Sequence, residues 1–307
     1  MSLALVAPLL PDQLYPLDGG FSDQLALYLG QAGVDGDPLW TARSLVTAPD
    51  TVVRVHRDFL AQGARVIITN SYQASLQGFK EHLNLSAKQT REAITASARL
   101  AWRAVEEEGR VAGHVLVAGS VGPYGACLGD GSEYTGAYLA AMEREELKEW
   151  HRPRVEALVE GRVSCLAVET MPHSKEVMAV LDIVQAASVV LPVWVSFTLK
   201  DGAHLGGGEA VEEAVRAVLR HPVARAGRLM ALGVNCSAPE HVTPALRAVR
   251  AVARVTPLVA YPNSGETWDG AAREWRGEGG LWLPLVGMQV LALLCCCVLQ
   301  YKAVCCR

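Results

Sequence analysis

Short apolar runs rich in β-branched residues alternate with longer amphipathic segments along most of this chain of 307 residues. This alternation is typical of βα units, in which helices cover a parallel sheet. It predicts seven strands, at residues 14–17, 65–69, 115–119, 165–168, 193–197, 229–234 and 258–261. It also predicts helices near residues 49–62, 86–108, 135–159, 174–187, 209–219 and 239–253. The order of the elements indicates an α/β fold.

The fold class that this order favours is a (β/α)8 barrel of the TIM type, in which eight parallel strands close into a ring. The length allows it, because such barrels occupy about 200–250 residues or more as one domain. The eighth strand must follow residue 280, where residues 298–304 are the only reasonable candidate. We therefore expect a barrel domain at residues 1–280 with an atypical or incomplete last βα unit. The remaining residues, 281–307, form a divergent apolar, cysteine-rich tail that can supply the last strand.

The charge balance favours small-molecule chemistry. The formal net charge is -4, and a chain of this charge offers no basic face for recognition of a nucleic acid. The first residues lack the basic start of a secretory signal, so we predict a cytoplasmic protein. In that compartment the eight cysteines are thiols or metal ligands rather than a disulfide framework.

Residues 281–301 contain no charged side chain and are numerous enough to cross a membrane. Pro284, Gly287 and the cysteine triplet at 295–297 make this segment a poor membrane helix. A buried terminal segment, or a terminus altered by splicing or gene prediction, fits it better, and a tail anchor is the less favoured alternative. The sequence makes no prediction about oligomeric state.

Polar side chains follow the predicted strands, and in a barrel these strand ends converge on one rim, where barrel enzymes place their active sites. Asp18 and Glu169 follow apolar strands directly, where carboxylates are rare unless they are paired or bind a ligand. They could cap the next turn, recognise a cation such as the ammonium of an amino acid, or form a general acid/base pair. Asn235 and Asn263 lie at two further strand ends, and we expect them to contact substrate.

Cys236 stands where the apolar run 229–234 gives way to polar residues. It could be a small buried hydrophobe, as most free cysteines are. It could also be a nucleophile activated by a histidine, but no histidine follows a strand in the same way. With Cys305 and Cys306 it could instead form a three-sulfur zinc site with one open position, the arrangement of a catalytic zinc. We favour metal ligation.

Several blocks of sequence, in order, resemble the homocysteine S-methyltransferases, and most of all those that use S-methylmethionine or S-adenosylmethionine. The likeness covers residues 10–276 and is carried by residues 18–21, 68–75, 119–126, 130–136, 169–170, 233–236 and 261–266. It implies a zinc-dependent enzyme that moves a methyl group from a sulfonium donor to L-homocysteine and forms methionine. It also implies a (β/α)8 barrel.

The resemblance also implies roles for individual residues. Cys236 matches the first zinc-binding cysteine of the family, and Asp18 and Glu169 match positions that contact the amino-acid part of homocysteine. The family's second and third zinc ligands lie in a GGCCR segment, which here is represented by Cys305 and Cys306 without the two glycines. The final barrel helix is missing from this terminus.

Two other functions stay open from the sequence. The altered tail is compatible with an inactive barrel that keeps a ligand pocket. Betaine-dependent enzymes share the thiol side of the reaction, although their donor pocket is aromatic and the stretch 70–73 is more similar to the sulfonium-using branch.

Overall fold

Seven parallel strands form the main sheet of the protein. The structure is a computed structural model, which describes residues 14–111, 113–187 and 190–263 and three short strands beyond them. The strands are β1 Val66–Ile68, β2 Leu116–Val121, β3 Cys165–Met171, β4 Val193–Phe197, β5 Leu229–Asn235, β6 Leu258–Tyr261, β7 Thr267–Asp269, β8 Glu274–Arg276 and β9 Val290–Ala292. The parallel sheet has the order β1-β2-β3-β4-β5-β6-β9, and β7 pairs with β8 in a separate antiparallel pair.

Helices follow most of the parallel strands. They are α1 Phe21–Leu29, α2 Ser44–Thr47, α3 Pro49–Ala61, α4 Leu76–Leu83, α5 Ala87–Glu107, α6 Arg144–Glu160, α7 Ser174–Ala186, α8 Val211–Arg220, α9 Pro222–Arg225 and α10 Pro239–Val252. Their starts follow from local chemistry. Ser86 and Gln89 form a reciprocal capping box at α5, and proline opens α3 and α10.

The predicted helix at 135–159 begins too early. The structure starts α6 at Arg144, because Glu143 caps the helix and accepts the backbone N–H of Glu146 while Glu146 bonds back to Glu143. The preceding residues form a 3-10 turn, Ala137–Ala140, after Gly136 at a φ of 67°. A left-handed glycine interrupts a helix, and sequence periodicity alone did not register that break.

Both faces of the sheet are buried, with alternate residues on each. The outward face packs against the helices in one large apolar cluster that includes Ile67, Val117 and Leu166. The inward face forms a second cluster, to which Val66 and Tyr261 contribute from the first and sixth strands. This period of two, buried on both sides, is what a parallel sheet covered by helices requires.

The strand ends of β3 and β6 show that the sheet curves. The hydroxyl of Tyr261, at the end of β6, donates to Glu169 on β3, although β4 and β5 lie between these strands. Such a bond across the inward face brings the carboxyl ends of several strands around one space. That space is where the candidate site lies.

The described strands form an open sheet rather than a closed ring. The predicted strand at 14–17 contributes one bridge, between Leu17 and Val66, flanked by the bond from Asp18 N to Val66 O at 2.9 Å. The strand next to β6 is β9, which lies in the predicted tail, and the predicted strand at 298–304 lies outside the described residues. A parallel α/β fold is confirmed, and closure into eight strands is not seen among the described residues. In the described part of the chain, no helix has the length and apolarity to cross a membrane.

Candidate active site

A cavity of about 180 Å³ opens at the carboxyl ends of the strands. It brings together every predicted site residue that the structure describes, namely Asp18, Glu169, Asn235, Cys236 and Asn263. The other two predicted residues, Cys305 and Cys306, lie outside the described part of the chain. Residues far apart in sequence therefore share one cavity because they lie at or near the carboxyl ends of strands in one curved sheet.

Glu169 is held by donors on both of its oxygens. The hydroxyl of Ser120 donates to one oxygen, and the hydroxyl of Tyr261 donates to the other at 2.9 Å. Tyr261 in turn accepts hydrogen bonds from Trp194 at 3.1 Å and from Ser196 at 2.8 Å. Burial raises the pKa of Glu169 to about 6, although its two donors lower it. The carboxylate is thus fixed in place before any ligand binds.

Asp18 lies close enough to Glu169 for their charges to interact. Its carboxylate accepts the backbone N–H of Ile68 at 2.6 Å, a bond that ties the loop before α1 to the end of β1. Burial raises the pKa of Asp18 well above its usual range; the Ile68 bond lowers it and the Glu169 charge raises it. Two buried carboxyl groups side by side favour a cationic ligand, because a cation lowers the cost of ionising both.

Every charged residue in the described lining of the cavity is acidic. Five of the lining residues are carboxylic acids, and none of the described ones is lysine, arginine or histidine; the acids are Asp18, Asp35, Asp37, Glu133 and Glu169. A cleft lined by one sign of charge concentrates ligands of the opposite sign. The cavity therefore suits substrates that carry positive charge.

Cys236 sits on strained backbone beside Asn235. The φ of Cys236 is 46° and that of Thr170 is 59°, values that non-glycine residues rarely adopt. The amide of Asn235 connects the two positions: its oxygen accepts Thr170 N at 2.8 Å, and its nitrogen donates to Thr170 Oγ1 at 2.7 Å and to Cys236 Sγ at 3.3 Å. Strain of this kind is concentrated at functional sites.

The thiol of Cys236 needs a positive partner to ionise. Burial and, to a smaller extent, the charge of Glu169 raise its pKa to about 12, against hydrogen bonds with Thr170 and Asn235 that lower it. A metal ion is such a partner, and a thiol in this position is a suitable donor for zinc. Within the described ranges, no three His, Cys, Asp or Glu side chains are grouped so as to hold a metal.

The two predicted asparagines differ in their environments. Asn235 uses its whole amide on Thr170 and Cys236, so its visible role is to orient these neighbours. Asn263 is half-buried on the cavity wall, and its backbone N–H donates to Ser237 O at 3.0 Å. Direct contact of either residue with substrate stays a prediction.

Several residues of the site were not predicted individually. Ser120 and Tyr261 hold Glu169, and their positions at the ends of β2 and β6 were the available signal. Gln73 and Glu133 also line the cavity, but both come from loops. The only sequence signal for them was that they fall in blocks that resemble a known family.

The comparisons with known proteins agree with this site. The sequence profile described as homocysteine S-methyltransferase matches residues 16–302. The chain therefore belongs to the homocysteine S-methyltransferase family, enzymes that transfer a methyl group to homocysteine. The match runs into the tail, beyond the end of the likeness that individual sequence blocks carry.

Individual relatives are similar over most of their length. Homocysteine S-methyltransferase 1 of Arabidopsis thaliana is 37% identical over 84% of this chain and 79% of its own. Betaine-homocysteine S-methyltransferase of Drosophila melanogaster is 42% identical over 85% of this chain and 82% of its own. Among solved structures, the metallated form of the Escherichia coli homocysteine methyltransferase MmuM superposes with a TM-score of 0.73. It is 39% identical and covers 82% of this chain and 85% of its own.

Proposed function

We propose that this protein transfers a methyl group from S-methylmethionine or S-adenosylmethionine to the thiol of L-homocysteine and forms methionine. The observation that carries the proposal is the cavity that Asp18, Glu169 and Cys236 line together, in which every charged residue of the described lining is acidic. Both substrates carry an ammonium beside a carboxylate at the amino-acid end, and the donor is also cationic at sulfur. An acidic pocket beside a metal-binding thiol suits both of them.

Asp18 and Glu169 bind the ammonium of homocysteine in this proposal. The two carboxyl groups interact electrostatically, both are buried, and each already accepts a hydrogen bond from the protein. A general acid/base role is the alternative. It is less favoured, because the thiol loses its proton before the methyl group moves and no second proton transfer is required.

Cys236, Cys305 and Cys306 are the proposed zinc ligands, of which the structure describes the first. Zinc held by these cysteines with one open position would lower the pKa of the homocysteine thiol and hold its sulfur as a thiolate. Asn235 and Thr170 keep the Cys236 sulfur oriented toward the cavity. The thiolate sulfur forms a bond to the methyl carbon as the sulfonium–carbon bond breaks, and the departing donor sulfur keeps the electron pair.

A betaine donor is the second candidate, and one observation favours it. The relative from Drosophila melanogaster carries betaine in its name, whereas other relatives are named only for homocysteine. Both donors carry an onium group that the acidic lining attracts, and this shared feature does not choose between them. Direct comparison of the donors is therefore part of the test.

The remaining proposals concern architecture and location. We propose that residues outside the described ranges complete a (β/α)8 barrel, because β9 already extends the parallel sheet beyond β6. Residues 281–307 then belong to the barrel at least in part, since β9 lies among them. We also propose that the protein acts in the cytoplasm, where thiols stay reduced.

The function is tested with purified protein, L-homocysteine and S-methylmethionine, by measuring methionine formation and bound metal. We expect the wild-type protein to be active and to contain about one zinc per chain. Cys236→Ser should lower both the activity and the zinc affinity by more than about 100-fold, because a serine hydroxyl is a poor zinc ligand. Cys165→Ala is the control, since that thiol is buried in the inward apolar cluster. Zinc retained in Cys236→Ser would exclude Cys236 as a ligand, and wild-type protein without turnover would favour an inactive, ligand-binding barrel.

A further inference from the structure

Three buried oxygen atoms on residues that line the cavity have no hydrogen-bond partner among the described residues. They are Oδ1 of Asn70, Oε1 of Gln73 and Oε2 of Glu133. Buried polar atoms are nearly always paired, because an unpaired one costs about 1–3 kcal/mol. All three residues line one cavity, so a ligand bound there that donates hydrogen bonds would supply the missing partners.

The direction in which the two amides point is fixed by their nitrogen ends. The nitrogen of Asn70 donates to the carbonyl of Thr41 and to the hydroxyl of Ser44, both at 3.1 Å. The nitrogen of Gln73 donates to the carbonyl of Ala126 at 2.6 Å. A flipped amide would place oxygen against these carbonyl oxygens, so the free ends must be acceptors.

Glu133 and Gln73 both contact the loop around Ala126. Its backbone nitrogen packs so closely on Gly125 that a Cβ at Gly125 would lie 2.5 Å away, and Gln73 bonds to the next residue of the same loop. The charge of Glu133 also acts on Tyr72 and Cys236, whose pKa values it raises. The carboxylate is therefore near the reacting end of the cavity, while only 9% of the residue is exposed.

These three acceptors form a set distinct from the carboxylates already assigned to homocysteine. Glu169 and Asp18 receive hydrogen bonds from Ser120, Tyr261 and Ile68. The second set has one carboxyl group, whose ionisation a bound cation would favour, and two neutral oxygens accompany it. A primary ammonium has three N–H donors and one positive charge, which matches that composition.

We propose that Asn70, Gln73 and Glu133 bind the primary ammonium of an amino-acid methyl donor, and so select sulfonium amino acids over betaine. The proposal rests on the proposed methyl transfer and names the donor class. Betaine is a quaternary ammonium without any N–H, so it would leave all three acceptors unpaired. A site built to hydrogen-bond one ligand discriminates strongly against an analogue that lacks the donors.

The test compares three ligands by titration calorimetry on the unaltered protein. They are S-methyl-L-methionine, its des-amino analogue 4-(dimethylsulfonio)butanoate, and glycine betaine. We expect the last two to bind about 10- to 100-fold more weakly than the first, which is the contribution of hydrogen bonds to a charged group. Equal affinity for S-methylmethionine and its des-amino analogue, or no binding of S-methylmethionine, would overturn the proposal.

A variant then assigns the effect to the carboxylate. Glu133→Gln should weaken S-methylmethionine binding by about 10-fold and leave the affinity for the des-amino analogue unchanged, because only the former has an ammonium. Glu81→Gln, an exposed position on α4, is the matched control and should change neither affinity. An equal loss for both ligands would show that Glu133 shapes the cavity without binding the ammonium.

Turnover separates this proposal from the proposed function. Methionine formation is measured with S-methylmethionine and with betaine. If betaine supports turnover as efficiently as S-methylmethionine, methyl transfer stands and the ammonium subsite is wrong. If no donor supports turnover, the proposed function fails, and the calorimetric comparison still decides whether the ammonium is recognised.

Discussion

Glu169 and Glu133 are both buried glutamates of one cavity, but they differ in the hydrogen-bond donors that surround them. Glu169 receives hydrogen bonds from Ser120 and Tyr261, whereas Glu133 has only its own backbone N–H as a donor and one unpaired oxygen. Their pKa values follow this difference: burial raises that of Glu169 to about 6 and that of Glu133 to about 7. Hydrogen-bond donors of the protein therefore stabilise the ionised form of Glu169 more than that of Glu133.

The region around Glu169, which we call the Glu169 corner, is therefore preorganised. The region around Glu133, the Glu133 corner, lacks a partner that a ligand could supply. Fixed donors around Glu169 reduce the reorganisation needed when a cation binds. One oxygen of Glu133 is buried without a partner among the described residues, and perturbed groups of this kind are concentrated at functional sites. The two carboxyl groups therefore suggest two binding events in the same cavity.

A third buried glutamate, Glu176, shows what a purely structural carboxylate looks like in this fold. It accepts hydrogen bonds from Tyr124 N at 2.6 Å, from the Tyr138 hydroxyl and from the His151 ring at 2.8 Å. The ring of His151 also contacts the guanidinium of Arg154 at 3.1 Å. Glu176 is absent from the described cavity lining, so its network supports the loops around the site.

The largest effect is expected at Arg154, which supports the loops of the Glu133 corner. Its guanidinium donates to the carbonyls of Tyr72, Ala74 and Gly122 at 2.7, 2.7 and 2.9 Å. Arg154→Met should lower the free energy of unfolding by about 3–5 kcal/mol, because three carbonyls lose their charged donor and Glu176 loses a favourable electrostatic neighbour. Urea unfolding followed by circular dichroism measures it. Arg152 on the same helix is partly exposed, and Arg152→Met should cost less than about 1 kcal/mol. A similar loss in both variants would remove this role for Arg154.

The next prediction distinguishes Glu133 from Glu169 by the pH dependence of the free energy of unfolding. Folded protein holds a proton on Glu133 up to about pH 7, while an unfolded glutamate releases it near its ordinary value of 4.5. Stability is therefore lost as the pH rises through this window, and the loss is complete above about pH 7. Glu133→Gln removes the titration, so we expect it to gain about 3 kcal/mol relative to wild type between pH 5 and pH 8.

Thermal and urea unfolding at both pH values measure this gain. Glu169→Gln is the informative comparison, because it also removes charge-assisted hydrogen bonds from Ser120 and Tyr261, each worth about 1.5–3 kcal/mol. It should therefore show no net gain at pH 8. If both variants behaved alike, the distinction between a satisfied and an unsatisfied carboxylate would be wrong.

The strands were predictable because their chemistry is local. A run such as 165–168 is apolar on both faces, and only a buried parallel strand has that pattern at that length. The start of α6 was not predictable in the same way, since the competing turn depends on Gly136 adopting a left-handed conformation. Pairing of β9 with β6 was missed because the tail lacks the β-branched pattern of the earlier strands.

The sequence predicted those site residues that closely follow a predicted strand. Asp18, Glu169 and Cys236 were found because each follows a strand, and the curvature of the sheet brings strand ends together. Glu133 lies in a 3-10 turn, Ser132–Tyr134, where nothing in the sequence points into a cavity. Gln73 became informative only when its nitrogen was seen to be used by Ala126, a partner about fifty residues away. Unpaired atoms are a property of the folded structure.

The smallest predicted effect concerns the donor that distinguishes Glu169 from Glu133. The Tyr261 hydroxyl lowers the pKa of Glu169, so Tyr261→Phe should raise that pKa above its present value of about 6. The Glu169 carboxylate, which we propose to bind the homocysteine ammonium, would then form only at higher pH. We expect the acid limb of kcat/KM for homocysteine to move to higher pH, and KM near neutrality to rise by about 10-fold. Tyr28→Phe is the matched control, because that hydroxyl also donates to a carboxylate, Asp58, but does so away from the cavity. The contrary result is an acid limb that does not move in Tyr261→Phe, with KM raised to the same extent at every pH. It would mean that Tyr261 shapes the pocket without changing the pKa of Glu169. Glu169 and Glu133 would then differ in hydrogen bonding but not in the charge that they present to a ligand.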